Sequence, residues 1–168
     1  PQPGGASETS LASHILGFVN GAGAGQYGVE EYYNDQLGGS AQVTRLERAG
    51  DGIERPVIVS EAREGVDLQL SIDAGLQTLV EQEAAAAGVA NQAESVSVVI
   101  MDPYSGDILS SASWPSYDAN RYGVVAARDP SRFIDPAISS VYEPGSVMKA
   151  ITSVAGLESG SYSPSTII

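Results

Sequence analysis

Val96-Ser97-Val98-Val99-Ile100-Met101-Asp102-Pro103-Tyr104-Ser105-Gly106-Asp107-Ile108-Leu109-Ser110-Ser111-Ala112-Ser113 reads as two strands joined by a turn. Three valines and an isoleucine in the first run predict a buried strand. Asp-Pro-Tyr-Ser-Gly reverses the chain, and residues 107–113 return as the partner. Upstream, Val66-Asp67-Leu68-Gln69-Leu70-Ser71-Ile72 alternates apolar and polar with period two, as a half-buried strand does. Asp73 is placed to cap a helix that carries Leu76, Leu79, Val80 and residues 84–87 and stops at Gly88. Downstream, Pro115, Pro130 and Pro136 break residues 114–140 into a loop. Residues 146–159 then place Met148, Ile151, Val154, Ala155 and Leu157 at helical spacing, predicting a buried helix that ends at Gly160. Strand, helix, hairpin, loop and buried helix make an α+β fold, an antiparallel sheet with packed helices. The eight residues after Gly160 are too few to complete such a sheet.

Eight Lys and Arg against 21 Asp and Glu leave a formal charge of −13, which argues against nucleic acid and anionic membrane surfaces as partners. Absence of cysteine excludes disulfides, thiolate nucleophiles and Cys-based metal sites, and is compatible with an oxidising compartment. The single histidine, His14, is expected at the surface or at an interface, and builds neither a multi-His metal site nor a His-centred triad. No apolar run reaches membrane-spanning length. With no initiator Met or signal peptide, and with Pro1-Gln2-Pro3-Gly4-Gly5 at its start, the chain reads as an excerpt of something longer.

Residues 1–10 have linker composition. The glycines of residues 17–28 invite a phosphate-loop reading, but no Lys-Ser/Thr follows and no strongly apolar strand precedes them. Residues 29–37 form a short helical stretch closed by Gly38-Gly39, and Gly50-Asp51-Gly52 turns a hairpin between two short strands. Asp102 and Asp107 are read as turn formers, and Trp114 and the tyrosines as core and loop anchors.

The chemistry gathers at Lys149. It is the only lysine, the other seven basic residues being arginines. Arg stays protonated in proteins, whereas a buried Lys can lose its proton and act as a base. Ser146 stands three residues earlier, within reach on one helix face, and an amine that accepts its proton makes the hydroxyl a nucleophile. With 22 serines in the chain the spacing alone is a weak motif. Glu143-Pro144-Gly145 adds a turn that presents Ser146 at the helix tip, where backbone N–H groups favour developing negative charge.

Tyr142-Glu143-Pro144-Gly145-Ser146-Val147-Met148-Lys149 resembles the first active-site motif of class B penicillin-binding proteins, the D,D-transpeptidases of peptidoglycan synthesis. Asp67 to Asp73 with Leu76-Gln77 is similar to the opening of their transpeptidase domain. Residues 98–109 are similar to its first hairpin, and Pro115-Ser116-Tyr117-Asp118-Ala119-Asn120 to the segment after it. Residues 17–20, 25–30 and 33–38 are similar to the pedestal region that precedes the domain. Asp135-Pro136 stands where the family often has Asn-Arg, and the family's later Ser-x-Asn and Lys-Thr-Gly motifs are not present in these 168 residues.

The resemblance implies an incomplete penicillin-binding transpeptidase (serine β-lactamase-like) fold, with residues 1–62 ending the pedestal region and residues 63–168 opening the transpeptidase domain. It implies that Ser146 attacks the D-Ala-D-Ala end of a stem peptide with Lys149 as base, that β-lactams acylate the same serine, and that no metal or organic cofactor is used. It further implies a SEDS-type glycosyltransferase and the cell-wall synthesis complex as partners. The protein is then held at the extracytoplasmic face of the membrane by an anchor outside this chain. Without the later motifs the isolated chain is expected to be inactive. Two other readings compete: a β-lactam sensor or serine β-lactamase, which the pedestal-like residues 15–50 disfavour, and a non-catalytic interaction module.

Overall fold

A computed structural model describes residues 9–48, 50–51 and 53–166. The linker expected over residues 1–10 therefore lies mostly outside the described residues. The chain opens with α1 (Ser13–Leu16), the two-residue strands β1 (Phe18–Val19) and β2 (Gly25–Gln26), and α2 (Gly28–Tyr32) and α3 (Asn34–Leu37). The helix expected over 29–37 is thus split, Tyr33 breaking it with φ −106° and ψ 20°. Strands β3 (Val43–Arg48) and β4 (Glu54–Ser60) form the hairpin foreseen around Gly50-Asp51, exposed along its length.

Next come α4 (Ala74–Asn91), β5 (Val96–Met101) and β6 (Ile108–Trp114). Asp73 caps α4 as expected, its carboxylate accepting from the Leu76 N–H at 2.7 Å. Strands β5 and β6 pair antiparallel from Val96 opposite Trp114 to Met101 opposite Ile108. Only one face of β5 is covered, so its side chains alternate between half-buried and exposed instead of being buried throughout.

Residues 66–72 do not form the expected strand. Period two survives in the half-burial of Leu70 and Ile72, but a strand needs a ladder of backbone bonds. This segment touches β6 only at its end, through Ser71 Oγ to the Ile108 carbonyl and the Asp73 N–H to the Leu109 carbonyl. The antiparallel strands among the described residues therefore make three separate two-stranded sheets, not one.

Helix α4 lies on the β5–β6 hairpin through the stripe Gln77, Val80, Ala84 and Gly88. Its C-terminal residue is Asn91, so Gly88 does not stop the helix. Gly88 is instead a notch, since a Cβ there would overlap the Trp114 ring. Gly88→Ala is expected to lower stability by about 1–3 kcal/mol through overpacking, against the roughly 0.5–1 kcal/mol gain of Gly→Ala in an open helix. A lower urea midpoint at unchanged slope is the measurement.

Beyond cis-Pro115 the expected loop holds short helices between its prolines: α5 (Tyr122–Arg128) and α6 (Pro136–Ser139), with 3-10 turns at Ala119–Arg121 and Pro130–Phe133. Asp135 caps α6 at the Ala137 N–H (2.9 Å) and also accepts from Ser113 Oγ at 2.7 Å, which ties α6 to β6. Pro136 takes the first helical turn, where a missing N–H costs nothing.

The apolar centre is aromatic and joins residues 18–27 to residues 117–133. Phe18, Tyr117 and Phe133 are buried together, with Tyr27, Tyr122 and Val125 against them. Phe18 stacks on Tyr122 with centroids 4.7 Å apart, and Tyr117 meets Phe133 edge-on at 5.0 Å. Last comes α7 (Met148–Glu158), and it overturns the expected buried helix. None of its residues is buried, and Ile151 and Val154 are 62% and 59% exposed. Its apolar stripe is present, but no described element packs on it.

Candidate active site

Gly145 turns the chain with φ +55°, a left-handed conformation that a side chain at this position would strain. Pro144 before it is held at φ −70°. Together they start a 3-10 turn, Gly145–Val147, that runs directly into α7. Ser146 sits in that turn and Lys149 in the first helical turn after it, so both expected site residues fall at the junction the sequence indicated.

The surroundings differ from expectation. Ser146 and Lys149 are both exposed, so the burial expected around the lysine is not supplied by the described residues. Among the described residues no hydrogen bond joins the Ser146 hydroxyl to the Lys149 amine, and the ion pairs all use arginine. What the junction offers chemically is a hydroxyl at the start of a helix, whose dipole favours negative charge there, with an amine one turn on; the Val147 N–H is taken by the Pro144 carbonyl and the Met148 N–H by that of Gly145.

The sequence reading missed a polar joint between α4 and β6. Gln77 is 1% exposed on α4. Its amide donates to Glu81 (2.9 Å) and to the Ser111 carbonyl (2.8 Å), and its oxygen accepts from Ser110 Oγ (2.8 Å) and the Ser111 N–H (2.9 Å). The same Glu81 oxygen accepts from the Ala12 N–H at 2.7 Å. A polar residue in the apolar register of a helix was the available signal, because such a side chain is kept only when satisfied. His14, expected at the surface or an interface, is instead buried within the chain at 8% exposure: its Nε2 lies 3.0 Å from the Arg132 carbonyl and its ring stands edge-on to Tyr117 at 5.2 Å. Tyr117 in turn donates to the Ser13 carbonyl at 2.8 Å, and burial, with Tyr27 and Asp135 nearby, pushes its phenol up to about 12.

Comparison with known proteins bears on this arrangement. The family described as penicillin binding protein transpeptidase domain matches residues 96–168, which include the junction. Over 169 aligned positions the chain is 30% identical to penicillin-binding protein PbpB of Mycolicibacterium smegmatis, covering 99% of this chain and 25% of that protein. It is 32% identical to the peptidoglycan D,D-transpeptidase FtsI of Escherichia coli over 152 positions, covering 89% of this chain and 25% of that one. The fold superposes on the crystal structure of penicillin binding protein 3 from Mycobacterium tuberculosis in complex with aztreonam. That match has a TM-score of 0.77 at 27% identity, over all of this chain and 33% of that one.

The chain is thus similar along nearly its whole length to penicillin-binding transpeptidases, and residues 96–168 match the model of their transpeptidase domain. The chain spans about a quarter of the length of the curated relatives it matches. The hairpin β5–β6, the helix α4 and the turn into α7 are thus elements of a penicillin-binding transpeptidase fold, as the class B motifs implied. No helix among the described residues is long and apolar enough to cross a membrane.

Proposed function

We propose that the full-length protein is a serine-type peptidoglycan D,D-transpeptidase in which Ser146 is the nucleophile and Lys149 its base. The observation that carries this reading is the junction itself. Ser146 follows a left-handed Gly145 into a helix that bears the chain's only lysine, inside the segment matched to the transpeptidase family. In the acylation step Ser146 Oγ bonds to the carbonyl carbon of the penultimate D-Ala as Lys149 takes the hydroxyl proton. The bond to the terminal D-Ala breaks, and its amine leaves with a proton. An acceptor amine on a neighbouring stem peptide then displaces the serine and completes the cross-link. β-Lactams acylate the same oxygen and are not passed on.

In this reading residues 1–62 end the pedestal and residues 63–168 begin the catalytic domain. The partners are stem peptides and a SEDS-type glycosyltransferase of the cell-wall machinery. The protein works at the extracytoplasmic membrane face, held there by an anchor outside these residues. The transpeptidase names of the relatives favour it over a sensor or β-lactamase. The later Ser-x-Asn and Lys-Thr-Gly motifs supply a second proton-relay serine and part of the oxyanion hole. They are not found in these 168 residues, and Lys149 is exposed, so the chain alone is expected to form no adduct.

Incubation of the full-length protein with a fluorescent penicillin, followed by peptide mapping in a mass spectrometer, tests the assignment. A stable adduct on the Ser146 peptide is expected; an adduct on another serine, or rapid turnover of the drug, would remove it.

A further inference from the structure

We infer that residues 10–28 act as a clasp on the segment leading to Ser146, and that the clasp is held by neutral His14 and loosened when His14 takes a proton. The clasp is built from contacts across more than a hundred residues of sequence. Ser10 Oγ donates to Asp118 (3.0 Å), the hydroxyls of Ser13 and Ser116 lie 2.8 Å apart, and Phe18 fills the space between Tyr122 and Phe133. His14 is its central polar side chain. The Arg132 carbonyl only accepts, so Nε2 carries the proton of that bond, and no described protein group pairs with Nδ1.

A second proton would put a charge into an aromatic-walled site with 8% of the residue in contact with water. The groups around it are few. Asp135, at the cap of α6, and Glu81, on α4, favour the charge. Both carboxylates are already engaged, Asp135 by Ser113 and the Ala137 N–H, Glu81 by Gln77 and the Ala12 N–H. Arg132 turns its guanidinium to Asp129, and Tyr117 holds its own proton against the Ser13 carbonyl. Helix α2, packed on α1, carries Glu30 and Glu31; Glu31 is taken by the Tyr27 N–H, and neither acts on the ring. Burial outweighs the carboxylates and holds the imidazole below its ordinary value of 6.5.

The sign follows from linkage. The clasped state binds the second proton less readily than the open one, so the stabilisation is full above the ordinary value and is lost as pH falls below it. Opening would uncover Phe18, Tyr117 and Phe133 and free the turn Pro130–Phe133, which precedes α6 on the way to Ser146.

Hydrogen exchange in the full-length protein tests this. Ile15, Leu16 and Gly17 donate to the carbonyls of Ala12 and Ser13, so their amides report the clasp. Their protection, corrected for the intrinsic rate, is expected to fall severalfold between about pH 7.5 and about pH 5.5. The amides of β5 should hold over the same range. In His14→Gln, which stays neutral, the fall should vanish. Exchange at the ring carbon C2 of His14, followed in its own peptide, gives the titration midpoint of the parent even where the variant does not fold. A midpoint at or above 6.5, or protection that falls equally in parent and His14→Gln, overturns the inference.

Discussion

Lys149→Arg in the full-length protein is expected to slow β-lactam acylation of Ser146 by about 10²–10⁴-fold, the usual contribution of a general base. Guanidinium keeps its proton at any working pH, so it cannot accept one from the serine. Among the described residues Lys149 makes no hydrogen bond or ion pair that the substitution would break. Charge, helix propensity and most of the side-chain bulk are kept. A loss of rate therefore reports the proton and not the fold. The measurement is the second-order acylation rate from a time course of fluorescent penicillin labelling, with the melting temperature as control. A rate within about tenfold of the parent would mean that another group takes the proton.

Gln77→Leu is expected to destabilise the protein by about 3–5 kcal/mol, a large part of the 5–15 kcal/mol that holds a typical domain. Leucine fills nearly the same volume, so no sizeable cavity forms. The effect comes from the groups left behind: a fully buried Ser110 hydroxyl, the Ser111 N–H and the Ser111 carbonyl, all paired only with Gln77 among the side chains around them. Each buried orphan costs about 1–3 kcal/mol. Glu81→Gln is the control, because an amide oxygen can still accept from Ala12 and Gln77; it should cost less than about 1 kcal/mol. Urea titration of the three proteins reads both values. Equal losses would point to charge at position 81, not to the Gln77 bonds.

The sequence made legible those elements whose cause is local. The Asp73 cap, the β5–β6 turn at Asp102 to Asp107 and the turn at Pro144-Gly145 each depend on a few adjacent residues, and all three formed where expected. The turn carboxylates behave as turn formers, Asp102 accepting from the Tyr104 N–H and Asp107 from Ser105 Oγ. The failures share a different cause. Alternation in residues 66–72 says which side chains prefer cover, but not whether a neighbouring backbone supplies a ladder. Helical spacing in α7 says which face is apolar, but not whether anything packs on it. Gly88 looked like a stop because helix-ending glycines are common, whereas its reason lies 26 positions away at Trp114. Ser146 and Lys149 are proposed from spacing and motif, while Gln77 and His14 needed the fold, since Ser110, Ser111 and Arg132, which they bond, are distant in sequence.

The aromatic centre also sets a timetable for synthesis. His14 and the Arg132 carbonyl that it binds are 118 residues apart. At about 5–20 residues per second, roughly 6–24 s pass between the making of one and the making of the other. Helix α4 and its hairpin are nearly contiguous and close as soon as they emerge, on a scale far below a second. Phe18 and Tyr27, made early, stay without their cover throughout that interval. The nascent chain therefore carries an uncovered aromatic segment until Phe133 is added, and this is the period in which a chaperone would meet it.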